Sequence, residues 1–100
     1  MNMNESAKIL VDYNNKAKKL FFSLYEKFRL SAKKLDRTKD NNVFKQQESK
    51  YLATLKHQLE LVAQEFLTKS RSSGNSQLTK RLTDEIAKYV NEFRQKSRSL

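Results

Sequence analysis

Residues 67–82 read LTKSRSSGNSQLTKRL and hold Gly74, the one glycine of a chain of 100 residues that has no proline. Glycine and proline are the strongest breaks in a sequence, so this chain has few places to turn. The stretch reads as a reversal between two helices. One helix runs out near Ser70 to Ser72, and Gly74 is expected to supply the left-handed residue that closes it. Asn75 or Ser76 then caps the next helix, a side-chain oxygen accepting a hydrogen bond from a free amide of the first turn. A phosphate-cradling loop would need several glycines and a following Gly-Lys-Ser/Thr, and the stretch has neither.

Outward from this turn the apolar residues fall on helical stripes. Before it come Leu52, Leu55, Leu59, Val62 and Phe66, spaced by alternating threes and fours. After it come Leu78, Leu82, Ile86, Tyr89 and Phe93, with Val90 alongside. Nearer the start, Leu10, Tyr13, Ala17, Leu20, Leu24, Phe28 and Leu35 lie within about 45° of one direction at 100° per residue. No alternation of period two is present, so no strand is expected. Leu35 and Leu52 leave the first two stripes about 100° out of phase, so one straight helix cannot carry both. The intervening LDRTKDNN, residues 35–42, is rich in poor helix formers, with Thr38 or Asp40 as the next cap.

The expectation is an all-α, three-helix antiparallel bundle with helices at about 5–36, 40–71 and 76–97. It forms one domain over the chain, frayed at residues 1–4 and 98–100. Asp12–Lys16, Glu65–Lys69, Asp84–Lys88 and Glu92–Lys96 set an acid four residues before a base, the favourable order on a helix. The helix lengths are similar to those of spectrin-like repeats and of the regulatory bundles of membrane-fusion proteins, as architecture alone.

Composition narrows the function classes. There are 21 basic and 11 acidic residues, a formal charge of +10, and the mean hydropathy is −0.87. Such an excess suits acidic partners. No apolar run approaches the roughly 18 residues of a membrane span. The opening MNMNESAKILVDY lacks a basic segment followed by an apolar one, and Asn2 replaces the glycine that myristoylation needs. Cysteine is absent, which removes disulfides and thiolate chemistry. An intracellular, cytoplasmic protein is expected.

No catalytic, cofactor or metal residues are expected, and so no enzyme. The single histidine, His57, projects opposite its stripe, and Thr54 stands where a bundle metal site would place a glutamate. Serines flank arginine in Ser70-Arg71-Ser72-Ser73 and Ser97-Arg98-Ser99-Leu100, where helix-end capping and a frayed tail explain them better than modification does.

One surface does not fit a simple amphipathic plan. Ten basic and four acidic residues give residues 1–39 a net charge of +6, against +1 for 40–75 and +3 for 76–100. Phe22 projects about 155° from the centre of the first stripe. Lys18, Arg29 and Lys33 share its side, with Tyr25 on the flank. Exposing a phenylalanine forgoes about 2 kcal/mol of burial, so the position asks for a reason. Packing of the first helix on two sides would account for it; the other account is an interface, with Lys18, Phe22, Tyr25, Arg29 and Lys33 as the candidate partner-binding face. The sequence reads as a non-enzymatic helical protein–protein interaction module, an adaptor or complex subunit, binding an acidic protein partner or itself. The alternative is a small basic RNA- or DNA-binding protein.

Overall fold

The computed structural model describes residues 3–72 and 74–100, with side chains from Glu5 onward. Three helices follow in order, α1 Met3–Ala32, α2 Asn41–Lys69 and α3 Ser76–Arg98, and no strand occurs among the described residues. Tyr13 meets Phe66 while Phe28 meets Phe44 and Tyr51, so α2 runs antiparallel to α1. Asn14 meets Tyr89 and Phe28 meets Phe93, so α3 runs parallel to α1. The result is a three-helix bundle of 54 × 18 × 18 Å, somewhat longer than the ~45 Å of its 30-residue first helix.

The stripes meet along the axis. Leu24, Phe28, Leu55, Leu59, Val62, Ile86 and Phe93 are all buried, as the spacing predicts. Phe21, Ala32, Phe44 and Ala63 join them. Phe93 organises one end of this core, its ring centroid 5.8 Å from Phe21, 5.5 Å from Tyr25 and 5.6 Å from Phe28. Edge-on and tilted packing of this kind adds to the gain from burial alone.

Polar contacts then fix the register. The Tyr13 hydroxyl donates to the Leu59 carbonyl at 3.2 Å, bridging α1 to α2. Tyr89 donates to Asn14 Oδ1 at 2.7 Å, bridging α3 to α1. The fully buried Ser97 hydroxyl donates to the Glu48 carboxylate, bridging α3 to α2. Burial pushes the Tyr13 phenol above its ordinary pKa, with smaller contributions from Tyr89, Glu85 and Glu60. No buried side-chain nitrogen or oxygen lacks a partner among the described residues. Sliding a helix by one residue would break these bonds and strand their buried groups.

Both connections differ from the sequence reading. The α1 helix starts at Met3 rather than near residue 5, and residues 1 and 2 lie outside the described residues. It ends at Ala32, not near 36, because Asp36 offers the backbone an alternative: its Oδ1 accepts from the Thr38 amide at 2.8 Å and the Lys39 amide at 3.3 Å. Asp40 does hold the N-cap position of α2. Its side chain turns back to the Asp36 amide at 3.0 Å instead of capping the helix.

The second connection overturns the expected role of Gly74. The α2 helix ends at Lys69, so the left-handed position falls on Arg71, with φ of 58°, and Gly74 does not have positive φ. The Ser72 amide bonds the Leu67 carbonyl at 2.8 Å and the Arg71 amide bonds the Thr68 carbonyl at 3.2 Å, the double closure of a Schellman motif. A methyl group added at Gly74 would meet nothing within 4 Å. Ser73 lies outside the described residues. Asn75 caps α3, its Oδ1 accepting from the Leu78 amide at 3.1 Å.

Candidate interaction surface

Phe21 and Phe22 are neighbours on α1 with opposite fates. A step of about 100° separates them, enough to turn one ring into the bundle and the other out of it. Phe22 is 67% exposed. Lys18 is exposed one turn before it and Lys33 three turns after it, and neither has a carboxylate within 4 Å among the described residues.

The five residues singled out in the sequence do not stay together. Tyr25 is drawn toward α3, stacked on Phe21 at 6.2 Å and edge-on to Phe93 at 5.5 Å, with its hydroxyl 3.4 Å from the Lys96 carbonyl. It belongs to the packing between α1 and α3. Arg29 remains on the outer side but forms a two-point bond with Glu26, Nε to Oε1 at 3.2 Å and Nη2 to Oε2 at 2.9 Å. These hydrogen bonds hold the Glu26 carboxyl below its ordinary pKa. The pair cancels much of the local charge, leaving Lys18 and Lys33 as the free cations of the set.

Two further apolar side chains lie exposed on α1, Val11 at 58% and Leu30 at 53%. Val11 stands eleven residues before Phe22, three helical turns, and so within about 20° of the same direction. Its spacing from Phe22 was the available signal, hidden because valine alone on a surface is unremarkable in composition.

Charge elsewhere is placed differently from the helix-spacing expectation. Glu65 bonds Lys69 at 2.8 Å, as predicted, and also pairs with Lys16 of α1 at 3.8 Å. Lys16 thus reaches across to α2 instead of to Asp12. Lys96 lies over the rings of Phe21 and Tyr25, at 5.4 and 5.6 Å, rather than beside Glu92. At the end of the bundle, Arg37 covers Phe44 at 3.9 Å and donates to the Leu100 main-chain oxygen.

His57 is exposed, and no group of three or more potential metal ligands occurs among the described residues. No described helix is long and apolar enough to cross a membrane. No known protein family, curated protein or solved structure matches the chain.

Proposed function

We propose that this chain is a non-enzymatic helical interaction module, an adaptor or complex subunit, whose outer α1 face binds an acidic protein partner. One observation carries the reading: Phe22, the largest exposed apolar side chain among the described residues, stands one turn from the free Lys18 on the outer side of α1. Aromatic side chains are among the residues that most often carry the binding energy of protein interfaces. Unpaired lysines steer an acidic partner toward them and raise the association rate. The cysteine-free sequence suits a reducing cytoplasm.

The net charge of +10 favours a second reading, binding of RNA or DNA. Single-strand platforms stack successive bases on several rings. Here the inward turn of Tyr25 leaves Phe22 as the one exposed ring of the candidate set, which weighs toward protein.

The two readings separate in one experiment. Wild-type protein, Phe22→Ala and a Lys18→Glu/Lys33→Glu variant are immobilised and offered native lysate with and without nuclease. The expected result is a protein retained by wild type through nuclease treatment and lost with either variant. Retention that disappears with nuclease would transfer the function to nucleic acid.

A further inference from the structure

Val11, Lys18, Phe22 and Arg29 on α1, and Lys33 just beyond its end, follow one another at intervals of seven, four, seven and four. At 100° per residue they stay within about 60° of one another over roughly 33 Å of helix. The Lys33 amide still bonds the Arg29 carbonyl, so the helical course holds to the last of them. An eleven-residue rhythm keeps a seam nearly straight along a helix. Neither α2 nor α3 fills this one, because Val11 and Phe22 remain mostly exposed. The lysine and arginine stems extend apolar cover between the two anchors. The two anchors are about 16 Å apart along the axis, a span that one face of a partner helix covers with residues eleven apart.

We infer that the seam docks an acidic amphipathic α-helix of a partner protein, with apolar residues against Val11 and Phe22 and carboxylates beside Lys18 and Lys33. This rests on the interaction-module reading and adds the form of the partner. Charge selects among the occupants. Lys18 and Lys33 are free, whereas Arg29 is already satisfied by Glu26. A second copy of the chain would set like charges against these lysines, which opposes docking. A nucleic-acid strand would neutralise them but has no use for Val11, since base stacking needs a ring. A single helix laid along this seam falls at the small end of protein interfaces, so the complex is a transient one.

The test uses the intact chain, isotope-labelled for NMR, and a synthetic helical peptide of roughly 22 residues, long enough to span the seam. The peptide carries two leucines eleven apart, flanked by glutamates. Controls are the same peptide with serine for leucine and a single-stranded oligonucleotide of similar charge. The expected result is amide shifts confined to the outer side of α1. Phe22→Ala and Val11→Ser should each weaken binding by about fivefold or more, with melting temperatures unchanged. The serine peptide should bind at least about tenfold more weakly than the leucine peptide. Equal binding of the two peptides, or no shift at roughly millimolar peptide, overturns the inference. So does an oligonucleotide that binds more tightly through Phe22, or a dimer that Phe22→Ala dissociates. A native protein captured through Phe22 while the peptide fails would reject the helix and retain the module.

Discussion

Phe21 is 8% exposed and packs against Tyr25, Tyr89 and Phe93, whereas Phe22, the next residue on the same helix, is 67% exposed and has no ring partner among the described residues. The two side chains have the same transfer free energy. What differs is a rotation of about 100°, which sets Phe21 toward α3 and Phe22 toward solvent. The inner side of α1 thus carries stability, and the outer side leaves an apolar ring in water. An amphipathic helix with a misplaced aromatic is a helix with a second use to explain.

The strongest challenge to that contrast is to empty the cluster Phe21 belongs to. Phe93→Ala removes the ring shared by Phe21, Tyr25 and Phe28 and should cost about 3–5 kcal/mol. Against a total stability of about 5–15 kcal/mol for a domain of this size, chemical denaturation will show a largely weakened fold. Phe21→Ala should follow at about 3 kcal/mol, the lower end of that range, because its ring sits at the edge of the core. Equal urea midpoints for Phe21→Ala and wild type would erase the distinction between the two phenylalanines.

Much of the inner side was legible in the sequence, because a stripe of period 3.6 is forced on any helix that must bury one face. The expected centres Leu24, Phe28, Leu55, Leu59, Val62, Ile86 and Phe93 are all in the core. Phe21 was not read there, since its place depends on α3 lying on that side, and one helix's periodicity does not say where its neighbours stand. The same reason hid the fate of Tyr25. Ser97 read as part of a serine-rich end, yet it is fully buried because Glu48 of α2 accepts its hydroxyl. Such a pairing has no local signal. Gly74 misled because the helix stops at Lys69, three residues earlier than a glycine-closed end would require, and arginine occupies the left-handed position. Phe22 is legible as a mismatch between residue type and face, because its exposure follows from its angle on its own helix.

Tyr13 sharpens the account of the inner side, where polar groups are tolerated only when bonded. Tyr13→Phe deletes the hydrogen bond to the Leu59 carbonyl and should cost about 1 kcal/mol near neutral pH. It should also change the response to alkali. The folded protein holds the Tyr13 proton more tightly than the unfolded chain, where a tyrosine ionises near about pH 10. That contribution is fully present below the unfolded pKa and declines as pH rises above it toward the higher folded value. Urea melts between roughly pH 8 and 11 should therefore show wild type losing more stability with rising pH than Tyr13→Phe does. Parallel slopes would mean that the phenol is not buried as described.

The turn between α2 and α3 offers the same kind of contrast in the backbone, with a residue type set where its conformation is unfavourable. A left-handed arginine costs roughly 1 kcal/mol relative to a conformation it prefers. Arg71→Gly should raise stability by at most about 0.5 kcal/mol, the strain relieved being largely offset by the freer unfolded chain. Gly74→Ala, with open space around the new methyl and no positive φ to strain, should raise it by about 0.4–1 kcal/mol, because alanine restricts the unfolded chain. A loss of stability in Arg71→Gly would show that the arginine side chain contributes more to the turn than its backbone takes away.

The smallest expected effect on folding is at Phe22, and it is the one that decides the outer side. With two-thirds of its surface in water, the ring has little burial to lose on truncation. Alanine is also the better helix former by a few tenths of a kcal/mol, which offsets part of that loss. Phe22→Ala should therefore leave the stability within about 0.5 kcal/mol of wild type, a shift of no more than a few degrees in melting temperature. Binding should respond in the opposite proportion, with partner affinity per folded molecule falling by more than about 1 kcal/mol. Thermal melts and binding measured on this single variant settle which side of α1 the ring belongs to. If the melting temperature falls as far as in Phe21→Ala while affinity per folded molecule stays constant, Phe22 is a second core residue and the outer face has no claim to function. If folding is untouched and binding is lost, the same rotation that separates two neighbouring phenylalanines also separates what holds the bundle together from what it presents.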